Sequence, residues 1–263
     1  MHEKAFHVPD ADWAGLERSR ALPDGRPAML QTWNDLVFLH ARVPREALQK
    51  FVPTALTVEE FDGSGWLGFV PFSMSNIRKP WSPALPWISA FHETNLRTYV
   101  THPEHGPGVW FLSLDAARYL GCLAARIGFK LPYFHANMSR HIGDGVWKYQ
   151  GTRMTRQFLP GLACQTANLE QYRVSATQTG EWHTAPEYSF EYWLVERYRL
   201  YSIGANDRLV TAKVFHSPYE IAEGKLNELE ILGLGDQFET LDFESVLLGK
   251  TLNVQCFSPT LVS

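Results

Sequence analysis

The sequence predicts an α+β fold dominated by strands: a large, mostly antiparallel sheet that closes on itself, with a few short helices at its flanks. Three observations carry this. Sixteen prolines and nineteen glycines are scattered along the whole chain, cutting it into many short segments rather than marking one linker. Helical periodicity is confined to brief stretches, whereas alternating segments recur. Apolar residues make up 45% and aromatic residues 13% of the 263, enough to fill a large core in a single domain spanning residues 1–263.

In chain order, residues 1–30 read as an irregular arm. Pro44 to Val52 reads as a short helix with Pro44 in the first turn, where a missing N–H costs nothing. Trp66 to Phe72 is a strand expected to break at Pro71. Arg78 to Trp87 holds three prolines and two tryptophans, so it is an extended loop, packed on the body of the fold or laid over a cavity as a flap. Phe91 to Val100 is a strand, and a turn over His102 to Gly108 leads into Val109 to Leu112. Ser113 offers a cap for a helix to about Gly128, with Ala117, Leu120, Gly121, Ala124 and Ile127 on one face. Pro132 ends that pattern. Phe134 to Ile142 and Val146 to Arg153 form a hairpin across Gly143-Asp144-Gly145. Leu162 to Tyr172 is a further strand, Thr184 and Pro186 open a helix through Val195, and Glu196 to Ser202 with Leu209 to His216 make a last hairpin.

Charge and cysteine usage exclude several classes. A formal charge of −4, with no basic stripe, argues against nucleic acid as a partner. Three widely spaced cysteines, Cys122, Cys164 and Cys256, give neither a disulfide framework nor a zinc pattern and read as buried thiols. The polar start MHEKAFHVPDADW is unlike a secretion signal, and no apolar run approaches the roughly 20 residues of a membrane helix, so a cytoplasmic location is expected.

The segment FHETNLRTYV, Phe91 to Val100, carries the most chemistry. Alternate side chains of a strand share a face, which puts Phe91, Glu93, Asn95, Arg97 and Tyr99 together and His92, Thr94, Leu96 and Thr98 opposite. The spacing admits two arrangements. Glu93 and Arg97 form an exposed ion pair that adds little stability. Alternatively, the face lines an interior where Arg97 receives a carboxylate or carbonyl oxygen.

Several strings bear on that choice: WNDLVFLHARVPREALQKFVP (Trp33 to Pro53), FDGSGWLGFVPF (Phe61 to Phe72), FHETNLRTYV, GVWFLSLDA (Gly108 to Ala116) and ARIGFKLPYFHA (Ala125 to Ala136). YWLVERYRLY (Tyr192 to Tyr201) and AKVFHSPYEI (Ala212 to Ile221) join them. Together they resemble the YqjF-like family from Trp33 to Ile221, while 222–263 fits poorly. That family is remotely similar to acetoacetate decarboxylase, which implies a cone-shaped antiparallel barrel with an internal cavity. The resemblance also implies that the Glu93 face points inward. In acetoacetate decarboxylase a lysine in a Gly-Phe-Pro-Lys-Lys context forms a Schiff base with a keto acid. Matching Pro132 to that proline sets Tyr133 and Phe134 at the lysine positions, so the nucleophile is missing. Lys130, two residues before the proline, could replace it only if the loop were rearranged, and Lys213 on another strand is the other displaced candidate.

The expected site is therefore Glu93 as general acid or base, with Arg97 as anchor. Asn95 and Tyr133 are its hydrogen-bonding partners, and Trp66 and Tyr99 its walls. Arg197 and Arg199 share a face with Tyr201 that reads as solvated, and Lys213 reads as a snorkelling lysine. The expected ligand is an unidentified small organic molecule bearing a carboxylate or carbonyl; the alternatives are a lyase-like enzyme and a non-catalytic interaction protein that docks through the tryptophan-rich loop. The sequence asks for no metal or organic cofactor, and its aromatic content is compatible with a homo-oligomer.

Overall fold

Strand pairing in the computed structural model closes two circuits that share three strands. The structure describes residues 11–84, 89–118, 131, 133–154, 169–204, 208–234, 238 and 241–262. The shared strands are β4 (Gly65–Arg78), β5 (Phe91–His102) and β6 (Gly106–Ala116). The first circuit adds β1 (Met29–Asn34), β11 (Arg199–Ile203), β12 (Leu209–His216) and β15 (Leu252–Cys256). It runs β1–β15–β12–β11–β6–β5–β4 and returns to β1. The second adds β2 (Leu36–Val43), β7 (Tyr133–Gly143), β8 (Val146–Arg153), β9 (Gln171–Gln178), β13 (Glu220–Leu232) and β14 (Phe243–Gly249), and closes through β2–β4. All these pairs are antiparallel except β6–β7 and β6–β11. Closure leaves few bare sheet edges among the described strands at which another strand could pair.

Because β5 lies in both circuits, both of its faces are buried. Two apolar clusters result. Phe72, Phe111, Leu114 and Val254 belong to one; Phe69, Leu96, Leu112, Tyr149 and Tyr172 belong to the other. Burying a side chain such as Leu96 contributes about 1.5–3 kcal/mol.

Several expectations change. Residues 13–20 of the supposed arm form helix α1 (Trp13–Arg20), because Asp12 accepts from the Gly15 amide at 2.8 Å and Leu16 reaches the core. Helix α2 is shorter than expected, Arg45–Gln49 with Pro44 as its cap. Pro71 does not break β4. It lies between the end of the β2 ladder at Phe69 and the start of the β1 ladder at Ser73, so on that edge its absent N–H interrupts no ladder, while on the other edge it stays in register with Thr94 of β5. Ser113 does not cap a helix, since β6 runs through Ala116; the remainder of that helix, from 119, lies outside the described residues. So do residues 162–168 of the supposed Leu162–Tyr172 strand. Helix α3 (Phe190–Val195) starts later than expected because Ser189 caps it, while His183–Thr184 pairs with β13. Of the loop tryptophans, Trp81 is exposed with Lys79 over its ring, and Trp87 is outside the described residues. The C-terminal segment is part of the sheet, with β15 closing the first circuit.

Candidate functional site

The first circuit encloses a cavity of about 440 Å³. Its walls are largely apolar, including Phe38, Phe72, Phe111 and Leu114. The Glu93 face of β5 points into it: Glu93, Asn95 and Arg97 all line the cavity, and each is 8% exposed or less. The exposed ion pair is thereby corrected, and Glu93 and Arg97 make no ion pair with each other among the described contacts.

A bulge aims this face. Leu96 pairs with Ser113 but Arg97 pairs with Phe111, so Leu112 is the extra residue on β6. The shift turns both Phe111 and Leu114 toward the cavity although they are three apart. Opposite, on β4, Gly68 pairs with Arg97, and a β-carbon there would meet Arg97 Cγ at 3.2 Å. The glycine allows the guanidinium stem to lie flat on the sheet.

Each polar group has a distinct state. Tyr133 Oη donates to Glu93 Oε2 at 2.8 Å. Burial pushes the Glu93 carboxyl up to about 8, and the Tyr133 hydrogen bond offsets only part of this. Glu93 is thus mostly a neutral acid at pH 7. Arg97 Nη2 donates to the Leu194 carbonyl at 3.2 Å, and its guanidinium lies over the Phe38 and Tyr99 rings at 5.7 and 5.6 Å. Arg97 Nε and Asn95 Oδ1 are buried without a hydrogen-bond partner among the described residues. Buried polar atoms are rarely left so.

The two expected walls are elsewhere. Tyr99 sits beneath Arg97, bonding His40 Nε2 through its hydroxyl at 2.7 Å, and Trp66 packs on Phe190 with its indole N–H on the Phe61 carbonyl. Neither lines the cavity. They were misplaced because alternation gives a face but not a depth.

Three cations that the sequence suggested were solvated do line it: Arg197, Arg199 and Lys213. Arg197 is buried, pairs with Glu59 and donates through Nε to the Trp193 carbonyl at 2.7 Å. Arg78 and Lys79 stand at the same cavity. Among the described lining residues six cations thus face one acid, Glu93, in a protein whose net charge is −4. Such a reversal of local sign concentrates anions. Lys130 lies outside the described residues. Burial lowers Lys213, with Arg199 adding to the effect. Cys256 also lines the cavity, its thiol pushed up to about 12 by burial, so it is an inert wall. A second, open groove of about 750 Å³ runs past Asp35, Ser73, His92 and Arg140. There Arg140 is paired with Asp35 and His92 with Ser73, whereas the cavity of the first circuit holds the partnerless Arg97 Nε and Asn95 Oδ1 among the described residues, which makes it the candidate site. No helix among the described residues is long and apolar enough to cross a membrane.

Comparison with solved structures gives the same fold. The chain aligns with an acetoacetate decarboxylase-like enzyme from Sphingomonas wittichii RW1 at TM-score 0.62 and 13% identity, covering 91% of this chain and 94% of that one. The enduracididine biosynthesis enzyme MppR complexed with pyruvate aligns at 0.59 and 16%, covering 91% and 92%. Acetoacetate decarboxylase from Legionella pneumophila aligns at 0.59 and 10%, covering 94% and 95%. These likenesses carry the acetoacetate decarboxylase-like fold. In sequence, the chain is 38% identical over 205 residues to the uncharacterized protein YqjF of Bacillus subtilis (strain 168), spanning 77% of this chain and 78% of that one. Residues 30–245 match the DUF2071 model, described as an uncharacterized conserved protein, so the match extends beyond Ile221. The chain belongs to the DUF2071 family of YqjF-like proteins.

Proposed function

We propose that this protein binds a small organic molecule bearing a carboxylate or carbonyl group inside the first circuit, and that it does so without a Schiff base. The supporting observation is the state of Arg97, a cation whose Nε is buried with no acceptor among the described residues, facing the cavity beside a mostly neutral Glu93. A ligand oxygen supplies the acceptor, and Glu93 donates to a second oxygen without opposing its charge. Tyr133 stands where the resemblance sets a catalytic lysine, and its hydroxyl is on Glu93. Structurally similar MppR is complexed with pyruvate, a molecule of this chemical class. On this reading the chain is one domain, cytoplasmic, with a small molecule and not nucleic acid as partner.

The test is ligand protection against heat across a panel of keto acids, aldehydes and carboxylates. A ligand present at about 100 times its Kd adds about 2.7 kcal/mol, a rise of roughly 5–10 °C for a chain of this size. Arg97→Ala is expected to lose this protection, with affinity down about 30-fold or more. Full affinity in the variant would sink the assignment.

A second reading is favoured by one observation: Lys213 lines the cavity and is lowered by burial and by Arg199. A neutral Lys213 would attack a carbonyl carbon, with Glu93 as acid or base. Borohydride trapping with the same keto acids and aldehydes, read by intact mass and peptide mapping, separates the two. The binding reading expects no adduct, whereas reduced adducts on Lys213 would establish imine chemistry.

A further inference from the structure

Arg199 and Lys213 stand directly opposite each other in the β11–β12 ladder, and both line the cavity. Like charges facing across an antiparallel pair destabilise it. Among the described residues no ion pair offsets the repulsion, since no carboxylate there pairs with either group. Arg199 Nη1 reaches only the neutral Thr211 Oγ1 at 3.1 Å, and its Nε is buried with no acceptor among the described residues. Exposed Asp24 acts on Lys213 at range, as the weakest of the three influences on it. Two opposed cations, partly desolvated and facing one cavity, are an anion site by their own chemistry.

The arrangement also fixes a distance. Arg97 is on β5 and Arg199 on β11, with β6 between them. Two strand spacings amount to roughly 10 Å, and Arg97 is level with Phe111 whereas Arg199 is level with Gly108, so an offset of roughly 10 Å along β6 brings the backbone separation to about 14 Å. The wall between is apolar, formed by Val109, Phe111, Leu114 and Leu200. Asn95, Glu93 and Tyr133 lie on the Arg97 side of the cavity, where Tyr133 and Glu93 bond each other and Asn95 Oδ1 has no partner among the described residues.

We propose that Arg199 and Lys213 form a second anion subsite and that the ligand is a dianion, with one carboxylate at Arg97, an apolar middle, and a second acidic group at the Arg199–Lys213 pair. This rests on the reading of the cavity as a carboxylate site and narrows it to a ligand class. Lys213 acts in it as an ammonium ion. Arg78 and Lys79, at the same cavity, add to its attraction for such a ligand.

The experiment is calorimetric titration of the full chain with straight-chain monocarboxylates of five, seven and nine carbons and with the matching α,ω-dicarboxylates. The quantity read is the ratio of affinities within each pair. A ratio of about tenfold or more in favour of the diacid is expected at the best-fitting length. Lys213→Met and Arg199→Gln are each expected to bring it below about threefold, with Lys213→Arg restoring it. Thermal melts of each variant check that the fold is intact. A ratio near one at every length in the unmodified chain overturns the proposal, as does a preference that survives both charge-removing variants. These failures are separable from failure of the underlying reading. Arg97-dependent binding of monoacids without a diacid preference sinks the second subsite alone, whereas no binding of either series sinks both.

Discussion

Glu93→Gln is expected to stabilise the chain by an amount that grows with pH, from under about 1 kcal/mol at pH 5 to on the order of 4 kcal/mol at pH 8.5. The cause is burial of the carboxyl inside the first circuit, which raises it from 4.5 in the unfolded reference to about 8. The sign follows from proton binding. Between those values the folded chain holds a proton on Glu93 that the unfolded chain has released, so ionisation favours unfolding as pH rises. The loss accrues from about pH 4.5, at about 1.4 kcal/mol per pH unit, and levels off above about 8. Glutamine keeps an acceptor for the Tyr133 hydroxyl and cannot ionise, so the variant escapes the loss. Urea melts of both proteins at pH 5, 6.5 and 8.5 measure the gap, with every other titration common to the two. A gap that does not change with pH would mean that Glu93 is not buried as a neutral acid. The same window governs ligand binding. Above about pH 8 the carboxylate form of Glu93 opposes an anion at Arg97, so affinity for carboxylates falls there in the unmodified chain and not in Glu93→Gln.

The face that carries Glu93, Asn95 and Arg97 was legible because a strand's alternation is local. What was not legible is what lies on either side of it. β5 is buried on both faces because two circuits share it, and nothing within ten residues of sequence encodes the return of β15 to β1 or of β2 to β4. The same blindness hid Arg197, Arg199 and Lys213. Charged residues alternating on a strand are usually solvated, and these line the cavity only because β11 and β12 complete the first circuit. Tyr99 failed for a different reason: it shares the face of Arg97 but lies below the cavity, against His40 and Trp193. Local signals were also overridden by pairing. Ser113 is a good cap by type, yet the β5 ladder extends β6 past it. The Asp12 cap of α1 was in the sequence and was missed because the surrounding polar residues resemble a loop.

Glu59→Ala is expected to cost about 3–5 kcal/mol, on the order of 10 °C or more in Tm for a chain of this size, because it strands Arg197 in the interior. Glu59 and Arg197 form an ion pair in which the side chains are 8% and 1% exposed. Arg197 is held further by the Trp193 carbonyl and lies over the Tyr99 and Trp193 rings at 4.7 and 4.6 Å. Burial nevertheless dominates the pair. Glu59 is raised, not lowered, because desolvation outweighs the attraction of Arg197. The pair is therefore a poor source of net stability even though breaking it is expensive. It follows that replacing both members, as Glu59→Leu with Arg197→Met, costs less than Glu59→Ala or Arg197→Ala alone. A double-mutant cycle by urea melts measures this directly. Single losses that simply add would show that the two charges do not depend on each other. The functional reason to keep so costly a pair is position. Arg197 lines the cavity beside Arg97 and Tyr219, and Glu59 neutralises it from the core side. The Leu–Met double variant should accordingly fold well yet bind carboxylates several-fold more weakly, separating what the pair does for the ligand from what it does for the fold.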